Sequence, residues 1–135
     1  MREHELDQFT LSTLSRALAA KQVSPVEVTE ACLARVERYD RALNAFVTVT
    51  ADRALEDARR AEKEINGGRR KGPLHGIPIA LKDIFATRGI KTTCSSPILR
   101  DWIPDADATA ARRLAEAGTV LLGKLNMSEF AYASV

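Results

Sequence analysis

The sequence predicts an α/β fold, with helices first and a parallel strand–helix–strand unit after them. Three observations carry this. Apolar residues recur at helical spacing through the first half of the chain. Two continuous apolar runs, Ile77–Leu81 and Thr119–Gly123, then stand out in the second half, and a helical pattern over 108–117 separates them. The 135 residues amount to one domain's length.

The elements follow in order. Leu11, Leu14 and Leu18, with Ala17 beside them, mark one narrow apolar stripe. Ser24-Pro25-Val26-Glu27 is a helix start: Ser24 caps, Pro25 suits the first helical position, and Glu27 completes a capping box. Val28, Ala31, Cys32, Val36 and Tyr39 then share a face, so Cys32 reads as a small core residue. Asn44–Thr50 contains a β-favouring run, short enough for a strand or an extended connector. A third helix over about 51–65 turns Leu55, Ala58, Ala61 and Ile65 inward, and Asn66-Gly67-Gly68 ends it. Arg69-Arg70-Lys71 reads as a solvated loop, since no aromatic residue interleaves it.

In the second half Pro78 cannot donate to a ladder, so pairing of the first apolar run starts after it. Asp105 or Asp107 is expected to cap the helix over 108–117, with Ala110, Ala111, Leu114 and Ala117 inward and Gly118 as its stop. Both apolar runs are expected to be central strands. A further helix start is expected over 126–133.

Composition excludes several classes. Twenty Lys and Arg against 18 Asp and Glu give a net charge of +2, too small for a general grip on nucleic acid or an acidic membrane. No apolar run approaches the ~20 residues that span a bilayer, and the charged Met1–Glu5 start lacks a secretory apolar stretch. Cys32 and Cys94 form no disulfide framework, and no Cys/His cluster suggests a metal. A reducing, cytoplasmic setting is the expectation.

Lys82 is the residue with candidate chemistry. It follows the first apolar run directly and precedes Asp83. Such a lysine commonly just marks an emerging strand end. Buried, however, its ammonium form is penalised, and a neutral lysine can accept a proton from a serine hydroxyl. His75, seven residues earlier, reads as structural because no Asp is placed to orient it. A Cys94–His75 nucleophile pair is the weaker alternative. Gly123-Lys124 is not a phosphate loop, since the preceding glycines of that motif are missing.

Gly72-Pro-Leu-His-Gly-Ile-Pro-Ile-Ala-Leu-Lys82-Asp83 followed by Thr92-Thr93 resembles the amidase signature family. The stretch from Asp105 through Gly118-Thr-Val-Leu-Leu-Gly-Lys-Leu-Asn-Met-Ser-Glu-Phe130 resembles it too, as do Ser24–Glu30 and Leu43–Thr48. These separated motifs stand in the family's order and cover the chain from about Leu11 onward. The resemblance implies N-terminal helices plus the first strands of a mixed-sheet amidase fold, truncated. Residues 1–135 would be the N-terminal part of a single amidase domain, helical to about 71, with the α/β core starting at about 72.

The activity implied is hydrolysis of an amide, or transfer of the released ammonia as in glutamyl-tRNA amidotransferase A-type subunits. The implied mechanism is a Ser–cis-Ser–Lys triad with Lys82 as its lysine, a backbone oxyanion site near the nucleophile, and no metal or organic cofactor. Ala131 falls in a stretch that lines the acyl pocket and is the expected substrate contact. Ser95 stands where many relatives have Gly. Both family serines lie after the Asn-Met-x-Glu-Phe motif, and Ser95, Ser96, Ser128 and Ser134 do not match them. The expectation is therefore a truncated amidase, inactive alone, whose complete form takes a small-molecule amide. A homo-oligomer or a complementing C-terminal half is the expected protein partner, with no nucleic acid and no membrane. The alternative is an amidotransferase A-type fragment acting in binding or assembly.

Overall fold

The computed structural model describes residues 3–132. Among them are helices α1 (Leu11–Ala19), α2 (Pro25–Leu43), α3 (Ala51–Asn66) and α4 (Thr109–Glu116). Strands are β1 (Phe46–Val49), β2 (Pro78–Lys82) and β3 (Val120–Leu125). Short 3-10 turns occupy Glu3–Gln8, Pro97–Leu99 and Glu129–Ala131. Ala133 and Ser134 lie outside the described residues.

The three strands form a mixed sheet in the order β1-β3-β2. The β2–α4–β3 unit is parallel, as the two apolar runs predict, and β1 pairs antiparallel with β3 on the other side. The segment left open between strand and connector is thus a strand, and it ties the helical half of the chain to the α/β half. β3 is central, and β2 has one side unpaired among the described residues, the open edge expected of a strand whose further neighbours lie outside them.

Both ladders are irregular. The β2–β3 register runs Ile79 to Leu121 and then Ala80 to Gly123, so Leu122 is an extra residue on β3. The β1–β3 register steps from Phe46–Leu125 to Thr48–Lys124, so Val47 is extra on β1. Each is a bulge, where one added residue resets the alternation of side chains. Gly123 lies beside both. A Cβ there would overlap the Thr48 carbonyl oxygen, so only glycine permits this approach of β1.

Helices cover both faces of the sheet. Val120 and Leu122 pack with Ala54 and Ala58 of α3, and Cys32 and Leu33 of α2 close the same cluster. Leu121 and Leu81 pack with Ala111 of α4 and with Ile90. Leu14 and Leu18 of α1 meet Val28 of α2 and Ile77 at the mouth of β2. Small alanines on α3 let its backbone lie close to β3.

The helix starts differ from one another. At α2 the capping box is complete: the Glu27 N–H donates to Ser24 Oγ (3.1 Å), and the Ser24 N–H donates to Glu27 Oε2 (2.9 Å). At α3 the Thr50 hydroxyl does not cap, because it donates to the Leu121 carbonyl of β3 at 2.9 Å. At α4 neither Asp105 nor Asp107 caps. The N-cap is Ala108, and the Asp107 carboxylate instead accepts from the Arg88 N–H at 2.7 Å.

Other expectations also shift. Leu11 and Tyr39 are exposed at the ends of their stripes, and Ala110 faces out while Ala111 faces in. The basic run after α3 is not simply solvated. Arg70 donates to the Ser15 carbonyl (3.2 Å) and hydroxyl (2.8 Å), and Lys71 pairs with Glu64 at 3.1 Å. These contacts strap the connector onto α1 and α3. The helix start expected over 126–133 is only the turn Glu129–Ala131, broken by Phe130 at φ 49°.

Candidate active site

Lys82 is the last residue of β2, opposite Leu125 of β3. It therefore stands at the carboxyl end of a parallel strand pair, where α/β folds place their ligand crevices. Its side chain is exposed. The burial that a lysine base requires is not supplied around Lys82 by the described residues. Its main chain is held closely: its carbonyl accepts from the Phe85 N–H (3.0 Å), and the Asp83 N–H donates to the Leu125 carbonyl (3.0 Å).

The next residue begins a buried ionic cluster. Asp83 and Lys124 are both fully buried, with Lys124 Nζ 3.1 Å from Asp83 Oδ1. The ammonium also donates to the Phe85 carbonyl (2.9 Å) and to Thr92 Oγ1 (2.7 Å). The ammonium thus has two hydrogen-bond acceptors and, in Asp83, a charged partner at ion-pair distance. Burial pushes the Lys124 pKa down, and the hydrogen bond and charge of Asp83 oppose that shift. On its other oxygen Asp83 accepts from the Thr93 N–H (2.8 Å) and hydroxyl (2.6 Å).

Sequence reasoning set Lys124 aside along with the phosphate-loop reading. One signal was available: a lysine following four residues of a buried apolar strand, with an Asp at the end of the neighbouring strand. The side of the sheet on which Lys124 falls was not available, because the bulge at Leu122 decides it.

The Thr92–Ser96 loop meets the chain leaving β3. The Phe130 N–H donates to the Cys94 carbonyl at 3.0 Å. The Ser96 hydroxyl donates to Glu129 Oε1 at 2.6 Å, and Ser95 Oγ lies 3.2 Å from Asn126 Oδ1. Cys94, Ser95, Phe130 and Ala131 all take left-handed backbone conformations, φ 49° to 57°. Ala131 is exposed on this turn. It stands beyond the end of β3, at the same end of the sheet as Lys82.

The remaining candidates separate. His75 is buried, and its Nδ1 accepts the Lys71 N–H at 3.0 Å, which leaves the ring proton on Nε2. Nε2 lies 3.0 Å from Glu64 Oε2. Burial pulls the His75 pKa below its usual value, while the Glu64 charge works against that. His75 is a buried structural residue, set beside a Glu rather than an Asp. It makes no pair with Cys94, whose thiol lies near Asp83 and Lys124 instead. Burial raises the pKa of Cys94, as it does that of Cys32, so neither thiol is activated. Among the described residues no group of His, Cys, Asp and Glu could hold a metal ion. None of their helices is long and apolar enough to cross a membrane.

Comparison with known proteins places this geometry. The A-type subunit of the glutamyl-tRNA(Gln) amidotransferase from Geotalea daltonii is 52% identical over 130 residues, covering 96% of this chain. Its counterpart from Azotobacter vinelandii is 52% identical over 129 residues. The chain spans 27% and 26% of the lengths of these two relatives. Among solved structures, the peptide amidase of Stenotrophomonas maltophilia superposes with a TM-score of 0.87 at 36% identity. That match covers 94% of this chain and 26% of that one. A bacterial aryl acylamidase of the amidase signature enzymes superposes at 0.82 with 28% identity, over 90% of this chain and 26% of its own. The profile of the family described as Amidase matches residues 27–135, from the capping Glu27 through Lys82 and the buried Lys124. The chain belongs to the amidase family, with an amidase signature fold.

Proposed function

We propose that this chain supplies the base-bearing part of an amidase that cleaves C–N amide bonds of a small molecule, with Lys82 as the general base. The observation that carries the reading is the position of Lys82 at the carboxyl end of β2, held by main-chain bonds to β3 and to the turn that follows. In the complete site a serine hydroxyl attacks the amide carbonyl. Its proton passes through a second, cis-bonded serine to the neutral Nζ of Lys82, and then on to the departing amine. Ala131 is read as a contact on the acyl side. The 135 residues hold no serine that matches either family position, so they are proposed to be silent without the remaining amidase sequence. That sequence, joined or as a complementing chain, is also read as what covers Lys82 and favours its neutral form.

A second reading makes the chain part of an amidotransferase A-type subunit working in an assembly. The 52% identity to two such subunits, against 36% to a peptide amidase, favours it.

One experiment tests the base. The chain is joined to the remaining sequence of the Geotalea relative, and release of ammonia or amine from simple aryl and aliphatic amides is followed. Lys82→Ala is expected to lower turnover ~10²–10⁴-fold. The 135 residues alone are expected to show no turnover above a Lys82→Ala control. Near-normal turnover by the alanine variant would remove Lys82 from the role. Release that requires added partner subunits would favour the second reading.

A further inference from the structure

We infer that Asp83 and Lys124 are positioning residues: their buried pair sets the Thr92–Ser96 loop, and through it the Glu129–Ala131 turn, against the strand end that carries Lys82. The inference deepens the reading of Lys82 as base and rests on it for its functional meaning.

The connections are continuous. Asp83 adjoins Lys82 in the chain, and Lys124 faces the end of β2 from β3. The ion-pair partner of the Lys124 ammonium, Asp83, and its two hydrogen-bond acceptors, on Phe85 and Thr92, all belong to the segment that follows Lys82. Asp83 passes the constraint on through both polar groups of Thr93. Thr93 Oγ1 in turn accepts the Ser95 N–H at 3.0 Å. Cys94, between them, receives the Phe130 N–H. One chain of bonds therefore leads from the Lys82 end of β2 to the turn that carries Ala131.

Two physical arguments assign positioning rather than plain stabilisation. A well-packed apolar pair commonly matches or exceeds a buried ion pair in stability, so stability alone does not call for these charges. Hydrogen-bond geometry, by contrast, selects one arrangement of the loop. The four left-handed non-glycine residues at the junction also need such selection, because side-chain-bearing residues hold that conformation only where their surroundings over-determine it.

The test compares three variants. Thr93→Val cuts the link without leaving a buried charge unpaired. Asp83→Leu/Lys124→Met removes both charges together. Thr119→Val, which loses a comparable hydroxyl bond to the Leu114 carbonyl (2.9 Å), lies outside the chain of bonds. Amide hydrogen exchange is read on the full 135-residue chain, and kcat and KM on the joined enzyme. Thr93→Val is expected to speed exchange at Ser95 and Phe130 by about tenfold and to lower kcat by a similar factor, with KM little changed. The double variant should match it while keeping a cooperative melt, and Thr119→Val should do neither. Exchange at Phe130 that responds to Thr93→Val no more than to Thr119→Val would overturn the inference. Thr93→Val decides the matter even where the double variant loses its fold. Lys82→Ala should lower turnover ~10²–10⁴-fold and leave Phe130 exchange unaltered. Near-normal activity in that variant would defeat the base assignment alone, with the exchange result still deciding the positioning role.

Discussion

His75 shows how a single side chain can set the pH response of this fold. Its ring is buried between the Lys71 N–H and Glu64, and it packs so closely on Gly118 that a Cβ there would overlap the imidazole. Gly118 also has φ +83°, which glycine adopts without strain. Burial depresses the folded-state pKa of His75 below the ordinary 6.5. The unfolded chain therefore takes up the proton first as pH falls. Stability linked to His75 is present above pH 6.5 and is lost as pH drops through the lower folded value. Glu64, whose pKa is lowered chiefly by its bond to Lys71, adds a second loss at more acid pH. Urea midpoints should be flat from pH ~8 to about 7 and decline as pH falls below about 6.5. In His75→Gln, whose amide can serve both neighbours, the first decline should vanish. A wild-type midpoint that does not move in that direction would contradict the burial argument. The sequence reads this histidine as structural but names no partner for it, because Glu64 and His75 meet only when the connector after α3 folds back.

Elements were legible where their signals are local. The Ser24–Glu27 box reads directly from four consecutive residues, and both of its bonds form. Ser24→Ala should cost about 1 kcal/mol by denaturant unfolding, with Ser24→Thr close to wild type. An alanine variant of unchanged midpoint would show that α2 is held by packing alone. Elements that depend on distant partners were harder to read. Asp107 looks like a cap until the Arg88 N–H claims it. Strand β1 is four residues long and acquires its identity only from Leu125 and its neighbours. Lys82 was placed at a strand end by the apolar run before it, whereas Lys124 and Asp83 became a pair only through the sheet. Local chemistry therefore predicted the candidate base and missed what holds it.

At the scale of the whole molecule, one boundary of the sheet is unfinished. β2, half of a parallel pair, has no strand on its outer side among the described residues. Parallel strands are ordinarily enclosed. Beside it lies an open apolar groove of about 410 Å³, lined by Leu6, Phe9, Leu14, Val28, Ile77 and Pro78. Leu11 on the same groove is exposed, as are Val47, Val49 and Ile98 elsewhere. The isolated chain is therefore expected to self-associate or to bind apolar dyes, as unpaired edges and apolar surface do. Sedimentation showing a monomer, together with a sharp melt and no dye uptake, would count against this. The sheet also divides the protein into an α2/α3 side and an α4 side, and the extra Leu122 governs which side receives a cation. Leu121 and Lys124 are three positions apart, an odd step that strict alternation would send to opposite layers. The bulge turns that odd step into an even one, so the ammonium joins Leu81 and Leu121 on the α4 side. A regular strand of the same length, without the bulge, would put the lysine on the face of Val120 and Leu122 and drive a charge among the alanines of α3. The irregularity in β3 thus acts as a sorting rule that keeps its one cation out of the wrong half of the core.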